Sequence, residues 1–390
     1  MASALWHMSI NEEILYSLIA VVSFTALLYV IAFLLAKKKR FQSIEIDVEG
    51  GAILVKTTKL NEFIENFGKR HARLFKVLGN IAILSSIPMA AYGIYFFHMN
   101  LQLWKVAPST ASPVAPILPG ITVGLDELPY FLLAIAITLI PHELAHAFHA
   151  SSEDIKVKSA GVFLFFILPG GFAEIDEEEL AKKPLGTQLR VFAAGSFANI
   201  LTFLVFLGVF SLLFASPLAP NPAGVKIVYV NSSYPAYGHL TQGDIIIAIN
   251  NIPTNTLDDF SRILGNFKPN ETIHLTIIRN GRPLNLTLTL DKSPYNSSRG
   301  FLGVTIQQAY TNEWMYKSSW WLLVVTSSVA IINVMPIFPL DGGRMLMAAL
   351  EKVLPKNTAR NISLALSIYL AGILVANILY SAGYWLPFRP

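Results

Sequence analysis

Apolar residues along this chain gather in blocks of about twenty. A helix needs about 20 such residues to cross a roughly 30 Å hydrocarbon slab. Six stretches qualify: 14–36, 78–97, 126–149, 187–215, 319–340 and 361–386. The first lacks a basic leader and a small-residue cleavage site, and Lys37, Lys38, Lys39 and Arg40 follow it, so it is expected to remain as a span. With that basic run on the cytoplasmic side, alternation puts 41–77, 150–186 and 341–360 inside. Both termini and the segment 217–318 then lie outside.

Segment 217–306 has a different rhythm. Lys226–Val230 alternates as a strand, Tyr237–Leu240 allows a short helix, and Gly243-Asp244 precedes the apolar run Ile245–Ile249. Asn250-Asn251 reads as a turn, Asp258–Leu264 has helical spacing, and Ile273–Ile278, Asn280-Gly281 and Leu284–Leu290 read as a hairpin, because Asn-Gly supplies two positive φ angles. Four Asn-x-Ser/Thr sequons, at Asn231, Asn270, Asn285 and Asn296, fit an exported surface. The stretches Ser233-Tyr234-Pro235-Ala236 and Thr241-Gln242-Gly243-Asp244-Ile245-Ile246 resemble a PDZ domain, which binds an extended peptide by adding it to a sheet edge. The expected fold class is a polytopic α-helical membrane protein with an inserted small α+β PDZ-like domain and short re-entrant or membrane-edge β segments. Its expected divisions are an N-terminal two-span region (1–125), a first core part (126–216), the PDZ-like domain (217–306) and a second core part with the C-terminal span (307–390).

Composition agrees with a bilayer protein. The chain is 53% hydrophobic and 14% charged over 390 residues, against about 25% charged in ordinary soluble domains. The balance of 29 Lys+Arg against 25 Asp+Glu excludes a nucleic-acid-coating role. The absence of cysteine removes disulfides, thiolate metal sites and Cys nucleophiles.

The third span carries Pro141-His142-Glu143-Leu144-Ala145-His146, an H-E-x-x-H pattern. Imidazoles at i and i+4 stand about 6 Å apart along one helical face, which one metal can bridge, and Glu143 beside them suits a general base. Charged groups near a bilayer centre cost about 2.5 kcal/mol or more each, so such residues mark a site. Zinc needs a third protein ligand and an open position for water. His149 lies about 10.5 Å along the axis from His142, too far to share an ion, and is expected beside the site or at the interface. A better candidate ends the fifth span, in Asn333-Val334-Met335-Pro336-Ile337-Phe338-Pro339-Leu340-Asp341-Gly342. Pro336 and Pro339 must break the helix, which places the Asp341 carboxylate at a broken end.

H-E-L-A-H in one span and N-x-x-P-x-x-P-L-D-G in a later one resemble the site-2 protease family of intramembrane metalloproteases. The resemblance implies one Zn²⁺ on His142, His146 and Asp341, with Glu143 activating the attacking water. It also implies that Asn333 supports substrate or the transition state. Arg190–Asn199 is similar to the family's middle-span pattern, with Ser196 where Pro is common, and suggests the same role for Asn199. An alternative for that face is tight helix packing through Ala193, Ala194, Gly195, Ser196 and Ala198. The apolar run Gly161–Gly171 is too short to span and reads as a re-entrant strand or hairpin that the resemblance makes a platform for an unwound substrate. Ile44–Val55, turning at Glu49-Gly50-Gly51, is a second hairpin at the membrane edge.

These readings imply regulated intramembrane proteolysis near the cytoplasmic side, on a transmembrane protein shortened beforehand by another protease. Further partners are the lipid bilayer and a peptide or C-terminus at the extracytoplasmic PDZ-like domain. The alternatives are a metal-ion transporter, since intramembrane His and Asp also mark ion pathways, and an inactive PDZ scaffold.

Overall fold

The computed structural model describes residues 19, 22–34, 44–49, 51–118 and 121–385. The expected span 14–36 lies partly outside them, and its described portion is a helix, α1 (Val22–Leu34). A hairpin, β1 (Ile44–Glu49) and β2 (Ala52–Thr57), leads into α2 (Thr58–Arg70) and the long α3 (Ala72–Val106). Next come α4 (Leu128–Ser152), β3 (Val157–Phe165), β4 (Leu168–Ile175), α5 (Glu177–Lys182) and α6 (Leu185–Phe214). After an inserted domain, the chain returns as α8 (Glu313–Val334), α9 (Asp341–Val353) and α10 (Lys356–Trp385).

Helices α3, α4, α6, α8 and α10 are long and apolar enough to cross a membrane. Leu84, Ile87, Leu212, Ile368 and Leu379 stay more than 60% exposed, an outward apolar surface that water would penalise and lipid does not. The polytopic helical expectation is borne out.

The chain divides into two compact units, residues 209–317 and the remainder. In the membrane unit, four antiparallel strands run in the order β1-β2-β3-β4. The two expected hairpins therefore form one sheet, with Val55 opposite Val162. The Gly161–Gly171 run is most of β3, a tight turn through Phe166 (φ 52°) and the first half of β4. Glycines allow close approach here: a Cβ on Gly171 would stand 3.1 Å from the Ile140 Cα, so β4 lies directly on the backbone of α4. At the far end of α4, Glu153 accepts Arg190 of α6 at 2.6 Å and faces Lys76 of α3 at 3.6 Å, tying three helices together.

The other unit contains β5 (Pro222–Val230), β6 (Ile245–Ile249), β7 (Ile252–Pro253), α7 (Leu257–Leu264), β8 (Thr272–Arg279) and β9 (Arg282–Thr289). It continues with β10 (Asp291–Lys292), β11 (Gly300–Phe301) and β12 (Val304–Tyr310). Its main sheet runs β12-β5-β6-β8-β9 over a core that includes Ile227, Ile246, Leu275 and Ile277. Asn250 and Asn251 turn between β6 and β7, and Asn280-Gly281 between β8 and β9, all at positive φ. Tyr237–Leu240 forms turns instead of the expected short helix, with Gly238 at φ 82°.

Asp244 is the polar anchor of this domain. Its buried carboxylate accepts Arg279 Nε and Nη2 at 2.8 and 2.7 Å and the Thr241 N–H at 2.8 Å. Burial alone would raise its pKa, but these donors outweigh burial and hold it below the usual carboxylate range. The folded-state pKa is therefore depressed, so this stabilisation is present above the unfolded pKa of about 3.9 and is lost as pH falls through the folded value. Asp244→Asn is expected to destabilise the domain by about 2 kcal/mol at neutral pH. Hydrogen exchange of β6 and β8 in the full chain checks this, and the difference from the parent should disappear in acid.

Candidate metal centre

Helix α4 presents His142 and His146 one turn apart, and their Nε2 atoms lie 3.2 Å from each other. Asp341 begins α9, just beyond the break that ends α8 at Val334, and its Oδ2 lies 3.4 Å from both Nε2 atoms. The expected span 319–340 therefore stops as a helix six residues early. Pro336 and Pro339 stand in the irregular stretch that follows, where the Phe338 N–H donates to Ser367 Oγ of α10 at 2.9 Å and the Leu340 N–H to the Ile337 carbonyl at 2.8 Å. Gly342 and Gly343 let α9 fold back: a Cβ on Gly342 would collide with the Val334 carbonyl, and one on Gly343 with the backbone of Ile337.

Each imidazole is held from behind. His146 Nδ1 lies 2.7 Å from the Val191 carbonyl, which can only accept, so Nδ1 is a donor and Nε2 is the nitrogen turned toward the shared point. His142 Nδ1 meets the fully buried Asn199 amide at 3.0 Å. Asn199 Nδ2 is the atom that faces the ring and its Oδ1 has no partner among the described residues; turning the amide over pairs Oδ1 with the Nδ1–H and gives the same tautomer, with Nε2 facing the shared point. Ser196, also buried, places its hydroxyl 3.5 Å from Asp341 Oδ2. Gly195 lies against both rings: a Cβ there would stand 2.6 Å from His142 Nε2.

The donor set fits zinc. Two imidazoles and a carboxylate are a common zinc complement, and a tetrahedral ion with bonds of about 2.0–2.1 Å separates its ligand atoms by about 3.3 Å. The separations of 3.2, 3.4 and 3.4 Å match that edge. Among the described residues, this is the group of His and acidic side chains close enough to hold an ion. Glu143 and Asn333 line the same cavity of about 570 Å³, whose outer wall includes Glu174, Glu177 and Arg344.

The profile of peptidase family M50 matches residues 130–376, well over half of the chain. This chain belongs to peptidase family M50. The transporter and scaffold alternatives lose ground accordingly. An uncharacterized protein of Methanocaldococcus jannaschii is 29% identical over 306 residues, covering 77% of this M50 chain and 78% of that protein. A protein of Arabidopsis thaliana named a membrane-bound transcription factor site-2 protease homolog is 28% identical over 254 residues, covering 64% of this chain and 44% of its own length. The M50 chain thus spans less than half of that plant relative.

Among solved structures, the PDZ domain of an SdrC-like protein from Listeria monocytogenes is similar at 17% identity, covering 24% of this chain and 93% of its own, with a TM-score of 0.20. A Geobacillus thermodenitrificans domain matches at 30% identity, covering 22% of this chain and 97% of its own, with the same TM-score.

His149, one turn beyond His146 on α4, is not a member of the His142–His146–Asp341 group. It is 4% exposed, with Nδ1 2.8 Å from the Ala145 carbonyl, and its Nε2 has no hydrogen-bond partner among the described residues. Sequence reasoning missed the Val191 carbonyl and, although it offered tight packing through Gly195, missed that the approach is to the two imidazoles. The small-residue run around Gly195 signals close packing but not its partner. A backbone acceptor leaves no trace in residue type.

Proposed function

We propose that this M50 protein is a zinc-dependent intramembrane endopeptidase that cuts transmembrane segments of membrane-tethered proteins. The observation that carries this reading is the convergence of His142, His146 and Asp341 at 3.2–3.4 Å in a cavity shared with Glu143. Zinc held by these three residues would supply Lewis acidity toward the scissile carbonyl and bring an attacking water within reach of a carboxylate base. Glu143 takes the proton from that water and passes it to the departing amine. Asn333 donates its side-chain amide to the oxygen on which negative charge develops. Asn199, buried behind His142, acts on the ring and not on the substrate.

The substrate enters as a strand. A transmembrane helix keeps its amides bonded internally, so it must open before any carbonyl is accessible. Strand β4 is bonded to β3 along one edge, and its residues Ala173, Glu174 and Ile175 line the catalytic cavity. An opened segment laid along that strand regains its backbone hydrogen bonds beside Glu143. Charge distribution along the chain supports a cytoplasmic active site and an extracytoplasmic inserted domain. That domain, read as PDZ-like, selects substrates already shortened outside, as a size filter or as a dock for a new C-terminus.

The test is cleavage of a single-span substrate by the purified full chain in detergent. A chelator should abolish cutting within the span and added zinc should restore it, while Asp341→Ala should lose at least a hundredfold in turnover and bind metal weakly. Cleavage that survives complete metal removal would overturn the reading. Metal flux into vesicles without proteolysis would replace it with transport.

A further inference from the structure

A second cavity, of about 300 Å³, lies on the reverse faces of the helices that build the metal centre. Its walls are Phe75 and Leu78 of α3, Leu144 and Phe148 of α4, and Phe197 and Leu201 of α6. The lining runs from Pro141 to His149 along α4, about 12 Å at 1.5 Å per residue. Leu201 is 42% exposed at one end, so the groove opens on the outward apolar surface.

The other end is charged. One turn beyond Phe148 and His149 stands Glu153, and one turn before Ala194 stands Arg190. Lys76 follows Phe75 directly. These three meet in the Arg190–Glu153–Lys76 cluster, in which two cations face one carboxylate. Lys76 remains about half exposed within it, and Arg73, one turn earlier on α3, is exposed too. The last turn of α2 adds Arg70 and Lys69, the latter 3.9 Å from Glu65. A short apolar slot capped by surplus positive charge, where a membrane span meets its polar flank, matches an acyl chain joined to an anionic phosphate.

We infer that the α3–α4–α6 groove binds one anionic glycerophospholipid, with an acyl chain between Phe75, Phe148 and Phe197 and its phosphate on Lys76 and Arg73. Apolar burial alone gives no preference here, because bulk lipid offers the chain the same surroundings. Selectivity comes from the cations, at about 1 kcal/mol per basic group near an anionic headgroup. Two groups therefore predict a preference of roughly tenfold or more for an anionic over a zwitterionic lipid of the same chains.

Native mass spectrometry of the full chain, released from nanodiscs of equal phosphatidylglycerol and phosphatidylcholine with identical acyl chains, tests this. The expected result is one phosphatidylglycerol retained per chain, at least tenfold over phosphatidylcholine. Arg73→Gln with Lys76→Gln should remove that preference, and Leu201→Trp, which plugs the groove from its open end, should remove retention of both lipids. An excess of inorganic phosphate should leave the adduct in place, since the acyl chain contributes to holding it. Equal retention of the two lipids, or retention untouched by Leu201→Trp, would overturn the inference. Circular dichroism of each variant checks that the helices are intact.

Discussion

Glu143→Gln should retain one metal ion per chain and lose about a thousandfold in turnover. The glutamine is nearly isosteric, and neither His142 nor His146 relies on Glu143 for its orientation: the Val191 carbonyl and the Asn199 amide hold the two rings. Metal content by mass spectrometry should therefore match the parent. Proton transfer by a positioned base contributes about 10²–10⁴-fold, which sets the size of the loss. KM should change little if the substrate's backbone is bound along β4, as proposed. Unchanged turnover would remove Glu143 as the base, and a parallel loss of metal would make it a ligand.

Gly195→Val is expected to weaken metal binding by about ten- to a hundredfold, and proteolysis with it. The first carbon of any side chain at this position falls between the two imidazoles, 2.6 Å from both Cε1 and Nε2 of His142. His146 cannot retreat without giving up its bond to Val191, which belongs to the same helix as residue 195. The strain must be relieved by parting α4 and α6, and overpacking of this kind costs about 1–3 kcal/mol. Chelator competition on the purified variant measures the affinity. Ala194→Val, whose side chain faces the α3–α4–α6 groove, is the matched control and should keep its metal.

Local chemistry accounts for the parts of this protein that its residues announce. His142, Glu143 and His146 declare themselves through helical spacing, and Asn280-Gly281 through the dihedral angles its turn demands. The break before Asp341 follows from Pro336 and Pro339, although the helix ends earlier than apolar length suggests, since α8 stops at Val334 before either proline. Partnership across long stretches of chain is harder to read. Nothing local to Val55 or Val162 says that they face each other across the β2–β3 pair, because both hairpins carry the same alternation on their own. The fate of His149 was hidden for a related reason. Its distance from His142 excludes a shared ion, but which neighbours cover its other face depends on how α3 and α6 pack, and helix packing is read from complementary shapes and not from residue type.

The placement of β4 has a further consequence. Because Gly171 carries no side chain, the strand rests on the backbone of α4 at the level of Ile140, one residue short of the proline that precedes His142 and His146. Strand and ligands are thus set against the same helix, which itself crosses the bilayer. A substrate segment laid on β4, as proposed, would be gauged against the membrane and not against its own sequence. Under the proposed activity, the bond cut would be whichever one the substrate's apolar length delivers to that depth, and a single enzyme could then serve substrates that share no motif.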